Sequence, residues 1–223
     1  MPRLARAAAD WATWRADLPE LVDLAGRELG VVVTDHRSSW VRRLPSPRGD
    51  LFVKTYDYPT WVDRLRDFGR RTGPWATPRA VREFDAIDWL GQRGFPGPRP
   101  LAAAVWRRCG FVARACLVTS SFGEGTAEAL LPNLVAEDRR GLAAAIVTFV
   151  RNVHALGFRD RNLDLRNLLV ARSAAGWSIA KIDSPRHVLR PPGKADDALA
   201  RADWARLLPQ LRELGIDPHA AGA

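Results

Sequence analysis

The sequence predicts an α+β chain in two lobes, a small antiparallel sheet first and a minimal helical lobe after it. Three observations point there. Five short β-like runs crowd into the first 120 residues, with one helix between the third and the fourth. Ser and Gly then cluster from Ser120 to Gly125, where a boundary falls. Beyond it, the longest apolar helical segment of the chain, Ala136 to Leu156, precedes two short strands and a last helix.

Taken in order, residues 1–28 read as an N-terminal helical segment of one or two short helices. Val31 to Val33, Trp40 to Leu44 and Leu51 to Tyr56 are rich in β-branched and aromatic residues, and Pro45 to Asp50 supplies a turn between the last two. A basic, Trp-containing stretch runs from Tyr58 to Trp75. Thr77-Pro78 opens a helix that extends to Gly91-Gln92, because Thr caps well and Pro suits the first helical position. Gly94 to Pro100 is a rigid connector, and Leu101 to Trp106 and Phe111 to Thr119 form a hairpin around Arg107 to Gly110. Gly157 stops the long helix. Leu168 to Ala171 and Trp177 to Ile182 flank a turn, and the last helix spans roughly Asp196 to Leu214. The expected domains are the helical segment 1–28, a sheet lobe 29–120 and a truncated helical lobe 121–223.

Composition narrows the classes. With 223 residues, 47% hydrophobic and 26% charged, the chain has room for one two-lobed domain or two small ones, and nine Trp and eight Phe argue against disorder. A formal net charge of +9, carried mostly by Arg, favours anionic partners: phosphorylated molecules, a membrane surface or nucleic acid. Nucleic acid is not expected, since neither a helix-turn-helix nor an aromatic platform is found. Two cysteines, Cys109 and Cys116, build no disulfide framework, so a reducing compartment is the default. No apolar run approaches a membrane span and Met1 to Arg15 lacks the centre of a signal peptide. The expected location is cytoplasmic, with at most peripheral contact to the inner face of the plasma membrane.

Four positions carry chemistry. Lys54 shares a strand face with Phe52 and Tyr56. It is either a charged edge residue or a buried cation with a task. In the helix from Thr77, Ala80, Ile87 and Leu90 put Glu83 on the apolar stripe, where a carboxylate is costly unless paired. Either Glu83 reaches water at the rim, or Lys54 is its partner. A strand lysine followed 29 residues later by a helix glutamate is the pairing that grips ATP phosphates in protein-kinase-like folds. Next, His154 to Val170 reads as a helix end, a polar loop and Asn167-Leu168-Leu169-Val170 entering a strand, the pattern of a kinase catalytic loop. Finally, the strand Trp177 to Ile182 ends in Asp183, 16 residues after Asn167. A carboxylate and an amide oxygen at adjacent strand ends are hard ligands suited to Mg²⁺.

Phe52 to Tyr56, the basic Trp61 to Arg71 stretch, Arg82-Glu83-Phe84, Gly94 to Pro100, His154 to Gly157 and Asn167 to Val170 resemble the lipopolysaccharide (Kdo/heptose) kinase family over roughly residues 30–210. The resemblance implies a protein-kinase-like fold, ATP with a divalent metal, and a sugar hydroxyl of the lipopolysaccharide core, or another small polar molecule, as acceptor. It implies that Lys54 grips phosphate, Glu83 orients Lys54, and Asn167 and Asp183 hold metal.

The departures are specific. Five residues before Asn167, where the family pattern has a catalytic-base aspartate, stands Asn162. An amide takes up no proton, though it can orient a hydroxyl, and Asp160 and Asp164 flank it as the carboxylates that could substitute. This residue keeps a second reading open, that of a pseudokinase which binds nucleotide without turnover. Ser184-Pro185 follows Asp183 in place of Phe-Gly. No glycine-rich loop joins the first strands, and Arg37 or the backbone beside it is the group expected to cover phosphates. In the Trp61 to Arg71 stretch, Trp61, Leu65 and Phe68 recur at helical spacing among arginines. That is either an amphipathic helix packed on the sheet lobe or an interfacial helix for anionic lipid.

Overall fold

Alternating β-branched and aromatic runs give the first half of the chain its strands, and a computed structural model shows how they pair. The structure describes residues 2–66, 68, 72–174, 176–193, 196–214 and 216. The chain divides into two compact units, Met1–Trp89 with Pro98–Ser121, and Leu90–Gly97 with Phe122–Ala223.

The first unit is built on a six-stranded antiparallel sheet: β1 (Arg3–Ala7), β2 (Val31–His36), β3 (Ser39–Leu44), β4 (Leu51–Asp57), β5 (Pro100–Arg108) and β6 (Phe111–Ser120), in the order β1-β5-β6-β4-β3-β2. Both faces of the sheet are covered. On one, Leu51 and Val53 of β4, Ala102 and Ala104 of β5 and Cys116 and Val118 of β6 pack with Trp11, Leu24 and Ala25. Those last three belong to or adjoin two short helices, α1 (Trp11–Arg15) and α2 (Leu21–Leu24). On the other face, Tyr56, Ala103, Val105, Ala115 and Leu117 pack against Ala80, Val81, Phe84 and Ile87 of the helix that Thr77-Pro78 opens. A six-residue helix, α3 (Trp61–Arg66), comes first, and the covering helix is α4 (Arg79–Gln92).

One expectation changes here. The segment 1–28 is not wholly helical, because Arg3–Ala7 forms β1 and pairs with β5 at the sheet edge, Leu4 opposite Ala104. Its side chains are largely exposed, so backbone pairing holds it, helped by Ala5 against the core and by Arg6 Nε on Asp85 Oδ1 at 2.8 Å, and no apolar alternation marks it in the sequence. The hairpin between β5 and β6 turns on Cys109 and Gly110, both with positive φ (50° and 83°), the conformation that matches strand twist in a two-residue loop.

The second unit is mainly helical: α5 (Ala127–Leu130), α6 (Ala136–Ala155) and α7 (Ala198–Glu213). Leu142, Ile146, Val147, Phe149, Val150 and Val153 give α6 a buried stripe. The helix ends at Gly157, where φ is +91° and a Cβ would stand 2.0 Å from the carbonyl oxygen of Arg190, so glycine alone fits. Small sheets complete the unit. β7 (Gly125–Thr126), β9 (Leu168–Ser173) and β10 (Gly176–Lys181) lie in the order β10-β9-β7, while β8 (Phe158–Arg159) pairs with β11 (Val188–Leu189). Among the described residues no helix is long and apolar enough to cross a membrane.

Candidate active site

In β4, strand alternation brings Lys54 and Tyr56 to the face that α4 covers, and both meet Glu83. Lys54 Nζ lies 3.2 Å from Glu83 Oε1 and 3.1 Å from Oε2. The Glu83 side chain is only 2% exposed, against 22% for Lys54, so the carboxylate sits inside while the cation still reaches the surface. The Tyr56 hydroxyl also donates to Glu83 Oε1, a partner that sequence reasoning placed on the right face without assigning it a task. The Arg79 guanidinium lies 4.5 Å from the Tyr56 ring centroid. Together these contacts offset the cost of burying Glu83.

A hairpin brings Asn167 and Asp183 to one end, where Asn162 links them. The β9–β10 register sets Leu168 opposite Lys181, so the residues before β9 and after β10 leave the same end. Ile182 N donates to Asn167 O at 3.0 Å. Asn167 Nδ2 donates to Asn162 O at 3.2 Å, which leaves its side-chain oxygen as the acceptor. Asn162 Nδ2 in turn donates to Asp183 Oδ2 at 2.8 Å and to Asp183 O at 3.0 Å. Asp183 has a φ of +58°, strained for a non-glycine residue and tolerated where the surroundings dictate it. Arg206 Nη1 donates to Asn162 Oδ1 at 3.2 Å. Both ends of the Asn162 amide are thus fixed.

The flanking carboxylates differ in their surroundings. Asp160 is buried and lies 3.1 Å from Lys181 Nζ. Burial holds its carboxyl above the usual aspartate range, against the lowering influence of the Lys181 charge and the Ser184 hydroxyl. Asp164 caps the single 3-10 turn Leu165–Asn167, accepting from Arg166 N at 3.2 Å. Arg37 stands exposed in the turn between β2 and β3, and its carbonyl accepts from Arg27 Nη2 at 3.1 Å.

Sequence reasoning missed the residue that holds the loop. Asp203, in α7 and 1% exposed, accepts from Asp160 N at 3.0 Å and Arg161 N at 2.8 Å, with His154 Nε2 at 3.2 Å. A second anchor, Arg159, is wholly buried, donating to His154 O at 2.7 Å and to Asp197 Oδ2 at 3.1 Å. Asp197 itself caps α7 through Leu199 N and Ala200 N.

With this geometry established, comparison with known proteins is decisive. The profile of the lipopolysaccharide kinase (Kdo/WaaP) family matches residues 52–215, from the strand of Lys54 to the last helix. The chain belongs to that family. A solved structure, WaaP in complex with acyl carrier protein, superposes with a TM-score of 0.62 at 18% identity, covering 92% of this chain and 79% of that one. The fold is therefore protein-kinase-like and bilobal, α+β, with a small antiparallel-sheet N-lobe and a minimal helical C-lobe. No match is found among curated proteins.

Proposed function

We propose that the protein is an ATP-dependent phosphotransferase acting on a sugar hydroxyl of lipopolysaccharide-core type. The observation that carries the proposal is the pairing of Lys54 with the buried Glu83 within a chain of this kinase family. A buried ion pair stabilises a fold weakly compared with apolar packing, so its presence supports a task, here gripping nucleotide phosphate.

Asn167 and Asp183 are suited to a divalent metal. Among the described residues no cluster of three or more His, Cys, Asp or Glu exists, so an all-protein cage is not on offer. One carboxylate and one amide oxygen, completed by phosphate oxygens and water, suit Mg²⁺ rather than zinc. When bound, the metal supplies charge neutralisation at the phosphates. In the sheet unit Lys54 would hold phosphate, with Glu83 and Tyr56 holding Lys54; in the helical unit Asn162 would orient the Asp183 carboxylate. Arg37 is the cation proposed to cover the nucleotide from the β2–β3 turn. Of the two carboxylates beside Asn162, Asp164 is the better candidate to take the acceptor proton, because Asp160 is buried against Lys181. ATP supply puts the reaction in the cytoplasm.

Asn162 favours one second reading, a nucleotide-binding pseudokinase. The two part in a single experiment: incubate the protein with Mg²⁺, γ-labelled ATP and cell-envelope extract, beside Lys54→Met and Asp183→Ala. Label reaching a saccharide only with the wild type supports the enzyme. Mg-ATP raising the melting temperature with no label transfer supports the pseudokinase.

A further inference from the structure

The sheet unit carries large apolar side chains on its outside. Trp61 is 45% exposed, Val62 73%, Leu65 59%, Phe68 44% and Trp75 91%. Trp61 and Phe68 share a neighbourhood, with Val62 and Leu65 on the same short helix as Trp61. The ring of Phe111, at the start of β6, lies 5.5 Å from that of Trp61 and 5.6 Å from that of Phe68. The β5–β6 hairpin tip is fastened to the same segment, since Arg107 Nη1 donates to Gly73 O at 3.3 Å and to Gly110 O at 2.8 Å, and Nη2 to Ala76 O at 3.3 Å.

Helix α3 is turned inside out. Its buried side chain is the cation Arg64, which donates to Tyr58 O at 2.9 Å and Pro59 O at 2.8 Å, while Val62 and Leu65 face outward. Scattered exposed apolar residues are ordinary. A run of them from Trp61 to Trp75, two being tryptophan, is a patch that calls for a partner.

The chemistry around the patch selects the partner. Arg66 and Arg108 are exposed beside it, in a chain of net charge +9. Asp63, the acid on α3, is held low first by hydrogen bonds from Thr60 and then by the charges of Arg37 and Arg66. Arg70 and Arg71, expected in the same stretch, lie outside the described residues. Protruding anchors such as Trp75 fit a deformable apolar medium, and arginines at their rim fit phosphate headgroups. We infer that this face docks on an anionic lipid bilayer, with Trp61, Val62, Leu65, Phe68 and Trp75 entering the headgroup–acyl boundary. The inference goes beyond the kinase reading and requires no phosphoryl transfer.

The test is co-sedimentation of the full chain with vesicles of phosphatidylglycerol and phosphatidylcholine (equal parts), and with phosphatidylcholine alone. The wild type should bind the mixed vesicles at least about tenfold more tightly, and lose that preference at high salt. Leu65→Ser with Trp75→Ser should weaken binding to mixed vesicles by about tenfold or more, from the lost apolar insertion. Arg66→Ser with Arg108→Ser should weaken it while leaving the phosphatidylcholine value unchanged. All four residues are exposed, so unchanged melting temperatures confirm folding. Brominated acyl chains should quench fluorescence less in Trp75→Phe than in the wild type. No binding to either vesicle overturns the inference, as does equal binding by Leu65→Ser/Trp75→Ser. A concentration-dependent dimer abolished by that same variant, without vesicle binding, would assign the face to a second copy and overturn it too. The Mg-ATP melting shift, measured separately, reports on the nucleotide site alone, so either reading can fail without the other.

Discussion

Glu83 depends on two side chains of one strand, Lys54 and Tyr56, for its place inside the sheet unit. Lys54→Met would remove the cation paired with the carboxylate. We expect a loss of about 1–3 kcal/mol, seen as a lower melting temperature, together with loss of the Mg-ATP response. Both charges were legible in the sequence, one from strand alternation and one from a helical stripe. What Asn162 touches was not. Its contact with Asp183 spans a loop, and no periodicity encodes it. That contact predicts the behaviour of Asn162→Asp. Without metal, two carboxylates would meet where an amide now donates at 2.8 Å, and the melting temperature should fall. The deficit should shrink as pH drops below the ordinary aspartate range of about 4, where protonation removes the repulsion. With Mg-ATP the added carboxylate should enlarge the stabilisation relative to wild type. A larger deficit at low pH would contradict the geometry.

Among elements, α7 was read as a closing helix, yet it carries the loop's anchor. Asp203 lies on a stripe with Ala200, Leu207 and Leu211, all buried, the same signal that singled out Glu83 on α4. The signal was there in the sequence; the partners, two backbone N–H groups more than forty residues earlier, were not. Asp203→Asn keeps the shape but offers one acceptor oxygen where two are used. It should cost about 2–4 kcal/mol in denaturant unfolding and speed hydrogen exchange at Asp160 and Arg161. A cost below about 0.5 kcal/mol would mean the loop is held elsewhere. Strand β1 failed the opposite way. An edge strand of Arg, Leu and Ala has ordinary helical propensity and buries almost nothing, so pairing with the edge of β5 is what chiefly makes it a strand. Helix α3 was half-legible: the spacing of Trp61, Leu65 and Phe68 predicted one apolar face and left open whether it packs on the sheet or points outward, as Val62 and Leu65 do.

At the scale of the whole molecule, the order of strands and helices announced the fold, because sheet-then-helix architecture is written in element order. The distribution of reactivity follows from the packing. Burial pushes the Cys116 thiol up to about 12, whereas Cys109 sits exposed in a hairpin turn. A thiol reagent at pH 8 should therefore titrate one cysteine rapidly in the native protein and two in denaturant. Two fast thiols in the native state would show that the sheet interior opens readily.

The pairing of β1 with β5 also has a history in time. Arg3 meets Val105, about a hundred residues further along the chain. At roughly 5–20 residues per second, β1 leaves the ribosome about 5–20 s before its partner strand exists. Over the same interval Trp11 and Leu24 lack Leu101, Ala102 and Ala104, the sheet residues they later cover. Until then residues 3–25 are a stretch of apolar, arginine-rich chain without their later sheet partners. Nascent chains stalled before β5 should be protease-sensitive there and bind chaperones, and those stalled beyond Ser120 should not. β1 is made well before its partner and seated late.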